Sequence, residues 1–290
     1  MLDGDLGIAE CRRRVARAGS DLYYAAMFLP EEEKSRLFSL HALAAELGAI
    51  ARTVTDPGVA RLKLAWWREE IARLAGGRPQ HPIAVAIAAS GANERIEAGS
   101  MLAMAAACET WLDRPRLADM AAVFEAHAQF EGLLWRESAR MLGVDEPAAL
   151  ACTCRLGSVV GVIHTMQGLG RNLPRGAARL PEDLLRAGGV DAEAIRRGAH
   201  DEAIAAVAAQ MADAVRAAMS EALAALQTPQ RERLLPLLIL AEVAGKTLEE
   251  LQAEGFRLLE RSVVLTPLRK LWTAVATRRR ERRLGRHGRD

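Results

Sequence analysis

Residues 156–181 read LGSVVGVIHTMQGLGRNLPRGAARLP, a glycine-punctuated run with arginines at its back end. Glycine-rich turns often cradle phosphate. A nucleotide fingerprint, however, needs a strand before the glycines and a helix opening directly after them. Here the residues from about Pro147 onward are apolar at helical spacing, and LPEDLL starts another helix at Pro181. A helix before the glycines is the wrong order for a loop that offers a helix N-terminus to an anion. GLGRN is therefore read as the end of a long apolar helix and the turn that follows it.

Working outward, eight of the eleven prolines stand where a helix would begin: 30, 57, 82, 115, 147, 181, 229 and 267. Several have Asp, Glu or Thr beside them, the residues that cap a first turn or favour its partial positive charge. Between these starts apolar residues recur at three and four, as in Leu37, Leu40, Leu43, Leu47 and Ile50, and no strand alternation appears. The pattern predicts nine to twelve helices, the long ones near 31–53, 57–75, 115–142, 147–169, 201–226 and 267–283. Scarce aromatic and β-branched residues with abundant Ala, Leu and Arg point the same way. No repeat or linker divides the chain, so residues 1–277 are expected to form one helical domain, followed by an arginine-rich tail, 278–290.

A net charge of only +2 gives no general argument for nucleic acid. The start, MLDGDLGIAECRRR, lacks an apolar signal region. The apolar run Leu234–Gly245 spans 12 residues, too short to cross a bilayer. The expectation is a cytoplasmic protein, peripheral at most on the inner face of the membrane. Cys11, Cys108, Cys152 and Cys154 lack zinc-site spacing and are read as reduced thiols.

LYYAAMFLP at 22–30, LAWWREEI at 64–71 with HP at 81–82, and Leu156, Gly157, Gly176, Leu180 and Pro181 together resemble the squalene/phytoene synthase superfamily. The resemblance implies an all-α isoprenoid (terpenoid) synthase-like helical bundle around a central cavity. Active members join prenyl diphosphates head to head. They hold Mg²⁺ between two aspartate-rich helices, where carboxylates four apart share a face and supply oxygen ligands. By that alignment the first motif's aspartates fall on Gly48 and Arg52, and its preceding basic residue on Ala45. The second motif's positions fall on Gly161, His164, Gln167, Gly168 and Asn172. Glu46, the nearest carboxylate, has no acidic neighbour on its face. Cations at Arg52 and Arg171 would repel a metal, so the resemblance implies no catalytic residue and no cofactor, Mg²⁺ belonging only to an enzyme alternative.

Shared departures liken the chain more closely to the superfamily's non-catalytic branch, the mitochondrial factor for assembly of respiratory complex I (NADH dehydrogenase). That likeness implies a pseudoenzyme with complex I subunits as partners. A divergent prenyltransferase and a lipid or isoprenoid carrier stay open as alternatives. In a carrier, Arg52, His164 and Arg171 would contact an anionic headgroup.

Three further features carry candidate chemistry. His41, His81, His127 and His164 are too far apart to form a local ligand set. Trp66 and Trp67 read as an anchor with one indole in the core and one outside. Leu268, Leu271, Trp272 and Val275 form an apolar stripe followed by RRRERRLGR. The stripe either packs on the body or lies against an anionic membrane surface; nucleic acid comes last, because no reading module accompanies the basic run.

Overall fold

The computed structural model describes residues 4–172, 180–190, 201–260 and 262–287, and these form an all-α bundle with no strand among them. In chain order the helices are α1 (Gly4–Val15), α2 (Asp21–Ala25), α3 (Glu31–Thr53), α4 (Pro57–Ala75), α5 (Pro82–Ala89), α6 (Ala98–Leu112) and α7 (Met120–His127). There follow α8 (Leu133–Met141), α9 (Pro147–Asn172), α10 (Glu182–Ala187), α11 (Asp201–Ala225), α12 (Thr228–Arg233), α13 (Leu235–Ala253) and α14 (Pro267–His287). The described residues thus hold more helices than the nine to twelve expected. The excess is short helices such as α2, α10 and α12, which are too brief to show a period.

Several of the proline signals coincide with a side-chain cap. Asp56 accepts the Val59 N–H at 2.9 Å ahead of Pro57, and His81 caps α5 ahead of Pro82. Pro115 is an exception. The expected helix 115–142 starts only at Met120, where Asp119 accepts from Ala122 N at 2.8 Å. Residues 117 and 118 are held elsewhere: their carbonyls accept the N–H groups of Glu182 and Asp183 at the start of α10.

Trp67 is buried and stacks edge-on against His81 at 4.6 Å between centroids, while Trp66 faces outward under Arg73. The LAWWREE stretch has a second role. Glu70, fully buried, accepts the backbone N–H groups of Gln80 and His81 at 2.6 and 2.7 Å and Arg73 Nε at 2.7 Å. Burial pushes this carboxyl up, and the backbone donors and Arg73 outweigh it, leaving its pKa below the ordinary value.

Helix α9 runs through the centre, packed against α7, α8, α11 and α13. Residues 147–170 are long and apolar enough to cross a membrane, but about two-thirds of the apolar window is buried in the bundle, which makes α9 a core helix. It lies unusually close to the α7–α8 unit, whose junction is a π-helical turn, Ala128–Gly132. A Cβ on Gly157 would stand 2.5 Å from the Glu131 carbonyl oxygen and 2.6 Å from Trp135 Cγ. The backbones can approach to this distance only because the side chain is missing.

The last helix crosses positions 277–278 without interruption, so the arginine-rich segment up to 287 is helical and continuous with the residues before it. Its seating differs from a packed apolar stripe: Leu268 and Trp272 point outward, and the buried side is Lys270, Thr273, Ala274, Thr277 and Glu281.

Gly157→Ala is expected to cost about 1–3 kcal/mol, the range for overpacking a close-fitted core, read as a lower denaturation midpoint in urea. Unchanged stability would mean that α9 does not lie as close to the π turn as described.

Candidate functional site

Helix α3 places His41, Ala45, Gly48 and Arg52 in one row, since steps of four, three and four return to the same face. Along the row His41 and Ala45 are half-buried, Gly48 is buried, and Arg52, at the end, is exposed. Its last two members touch. A Cβ on Gly48 would fall 2.6 Å from Arg52 Nη1, so the guanidinium folds back one turn into the space that the glycine leaves. Glu46 is turned away from this row and pairs with Arg14 of α1 at 2.6 Å.

Helix α9 contributes the second row, Gly157, Gly161, His164 and Gly168. His164 keeps a large accessible surface, although it sits on the central helix between buried neighbours. Enclosure by protein still lowers its pKa through desolvation, aided by the charges of His127 and Arg52 and opposed by those of Asp21 and Glu131. The ring is thus open to solvent on one side and set among protein atoms that desolvate it on the others. Arg52, Asp21 and Glu131 are near enough for their charges to act there.

Behind His164 lies a network that no sequence motif announced. His127 is fully buried, with Nδ1 3.0 Å from Glu131 Oε2 and Nε2 3.3 Å from Thr165 Oγ1. A carboxylate accepts only, so Nδ1–H donates to Glu131, while Nε2 is paired with the threonine hydroxyl. Gly161 makes this possible, because a Cβ there would stand 2.6 Å from His127 Nδ1 and 3.0 Å from Glu131 Cδ. The π turn supplies the geometry by carrying Glu131 beside His127. The one signal for it in the sequence was HAQFEG, a His and a Glu four apart across from a glycine.

The other positions divide. Gln167 Nε2 donates to the Val263 carbonyl at 2.6 Å, and Gly170 N–H to the Leu258 carbonyl at 3.1 Å, so this end of α9 holds the segment after α13. Gly168 is buried, and Ala45 presents only a methyl group. The side chains of Arg171 and Asn172 lie outside the described residues. Of the expected positions the structure thus brings together Gly48 with Arg52, and Gly161 with the His127 network beside His164.

The described residues around Gly48 and Gly161 do not gather a set of ligands for magnesium. Among the described residues no three His, Cys, Asp or Glu side chains converge to hold an ion. A divalent cation needs several oxygen ligands, and Arg52 sets a cation beside Gly48 instead. The four histidines do not converge either. His81 caps α5, and His41 Nε2 stands 3.2 Å from Ser138 Oγ. That hydroxyl donates its proton to the Leu134 carbonyl at 2.7 Å, so His41 must be the donor to Ser138, in its Nε2–H form.

The sequence profile of squalene/phytoene synthase matches residues 15–269. A phytoene synthase of Thermus thermophilus is 29% identical over 214 residues, 73% of each chain. Among solved structures, a dehydrosqualene synthase superposes with a TM-score of 0.80 at 14% identity, covering 96% of this chain and 98% of its own. Squalene synthase HpnC from Alicyclobacillus acidocaldarius gives 0.72 at 16% identity, covering 88% and 97%. YisP from Bacillus subtilis gives 0.73 at 12%, covering 94% and 96%. These superpositions establish the isoprenoid-synthase-like fold.

Burial lowers the His41 pKa to about 4. Between that value and its ordinary 6.5 the unfolded chain binds a proton that the folded chain does not, so stability rises with pH across the window and is complete above it. The His41 contribution amounts to about 3 kcal/mol at most, at 1.36 kcal/mol per unit. His41→Gln should flatten urea stability between pH 4 and pH 6.5; pH profiles parallel to wild type would show that His41 is not desolvated.

Proposed function

Since the chain belongs to the squalene/phytoene synthase family, we propose that it is a non-catalytic member whose cavity holds an anionic isoprenoid or lipid. We further propose that it serves the assembly or maintenance of respiratory complex I. The observation that carries the non-catalytic reading is the Gly48–Arg52 pair. Where the family resemblance sets two carboxylates on α3, this chain has a guanidinium folded over a glycine. Ionising a prenyl diphosphate leaves its negative charge on the departing pyrophosphate, and a clamp of Mg²⁺ and carboxylates normally neutralises it. Arg52 can pair with a bound phosphate or carboxylate, but a single side chain at the mouth of an accessible space is poor equipment for holding a pyrophosphate as it leaves.

The cavity chemistry suits retention of a ligand. Arg52 offers a fixed positive charge, and His164, its pKa lowered, offers an uncharged polar ring deeper in. The complex I assignment rests on the likeness of the sequence departures to the assembly-factor branch, and the partners would be subunits of that complex. On this reading no Mg²⁺ or other cofactor takes part.

A second reading, a divergent prenyltransferase acting on prenyl diphosphates, is favoured by the 29% identity to a phytoene synthase. One set of experiments separates the two. Purified protein supplied with farnesyl or geranylgeranyl diphosphate and Mg²⁺ should release no pyrophosphate, and turnover abolished by Arg52→Ala would establish the enzyme. Lipid extracted from purified protein should include an anionic species that drops at least tenfold in Arg52→Ala, given about 1.5–3 kcal/mol for a charge-assisted hydrogen bond. Deleting the gene should lower NADH:quinone activity and complex I abundance; unchanged levels of both would refute the assembly role.

A further inference from the structure

The final helix, α14, has its polarity reversed. A surface helix of a globular protein normally turns its apolar stripe inward and its charges outward. Here Leu268 and Trp272 are 77% and 68% exposed, while Lys270, Thr273, Thr277 and Glu281 are buried. The buried side is seated by polar contacts: Glu281 takes two bonds from Arg231 of α12, at 2.7 and 3.0 Å, and Lys270 Nζ reaches Asp21 at 2.7 Å and the Gly19 carbonyl at 3.1 Å. On the flanks Arg280 pairs with Glu242, and the Arg278 guanidinium lies 4.2 Å from the centroid of the Phe28 ring.

At 100° per residue, positions 268, 272, 275, 276, 279, 282, 283 and 286 fall within an arc about 120° wide. Its N-terminal half is Leu, Trp, Val and Ala; its C-terminal half is four arginines, and no position is acidic. Trp272, Ala276, Arg279 and Arg283 border an open groove of about 580 Å³. The family profile ends at residue 269, near the start of this helix.

We infer that α14 docks the protein onto an anionic phospholipid bilayer, with Leu268 and Trp272 entering the headgroup region and Arg279, Arg282, Arg283 and Arg286 lying over lipid phosphates. Charge selects this occupant. A second copy of the same face would set arginines against arginines. A bilayer offers both an apolar layer for the indole and a dense negative surface, the pairing on which interfacial helices rely. The buried ion pairs fix the rotation of the helix, so the row is aimed outward before any membrane is met. The inference is independent of whether the central cavity is catalytic.

Vesicle co-sedimentation tests it. Wild-type protein should bind phosphatidylcholine vesicles containing a third phosphatidylglycerol, and binding should fall at least tenfold without the anionic lipid or in 0.5 M salt. Each arginine near an anionic surface is worth a factor of about five, so Arg279→Ala/Arg283→Ala/Arg286→Ala should weaken binding about a hundredfold. Leu268→Ala/Trp272→Ala should weaken it at least tenfold with helicity intact, because both side chains are exposed. Brominated lipid should quench a fluorescence component present in wild type and missing in Trp272→Phe. Absence of binding to anionic vesicles at low salt, or binding indifferent to both sets of substitutions, would overturn the inference. So would a solution dimer, seen by light scattering, that dissociates in Trp272→Ala.

Discussion

The close passage of α9 across the α7–α8 unit is the constraint on which the rest of the interior depends. Gly157 meets the Glu131 carbonyl and the Trp135 ring, and one turn later Gly161 meets His127. Two residues without Cβ at a spacing of four give the helix one smooth edge. The π turn at Ala128–Gly132 fits against that edge, and it also carries Glu131 to His127. Packing and chemistry are therefore one arrangement: a Cβ at position 161 would press on the ring and carboxylate that form the polar network beside His164.

That arrangement explains how an apolar core helix can border a polar space. His127 is wholly enclosed, yet both ring nitrogens are satisfied, one by a carboxylate and one by a hydroxyl. His41 pairs its Nε2 with Ser138. Desolvation lowers the pKa of His41 and His164 alike, so little positive charge is held deep inside. The guanidinium of Arg52 sits instead at the exposed end of its row, where water keeps its solvation cost low. Gly48 lets it fold back there without leaving the face.

The sequence revealed this architecture unevenly, for physical reasons. Helices that begin at a capped proline, such as α4, α5, α12 and α14, or with an apolar period sustained over many turns, such as α9, were legible because caps and periods are local. Pro115 misled because its segment is held by backbone bonds to α10, some 65 residues away, which no local rule contains. The positions 48, 52, 161 and 164 could be named from the family resemblance, but their relation could not. That Arg52 returns onto Gly48, or that Gly161 makes room for His127, depends on side-chain direction and on the π turn. Glu70 is similar. Nothing local in the sequence marks it as buried, yet it binds two backbone N–H groups of the loop before α5.

Periodicity also located the stripe on α14 without saying which way it faced. Apolar stripes usually point inward because burial of apolar surface drives docking. Here the inward side offers a buried glutamate to Arg231 and a lysine to Asp21. Burial pushes the Glu281 carboxyl up, but Arg231 and Arg280 outweigh it and leave its pKa below the usual range. Ion pairs of this kind add little net stability over an apolar contact of similar volume. What they do supply is direction, because a two-point Arg231–Glu281 bond holds in one rotation of the helix and fails in others. A helix oriented in this way can leave Trp272 in water without rolling it inward. That exposure would be hard to rationalise if the surrounding solution were the only medium the face ever met.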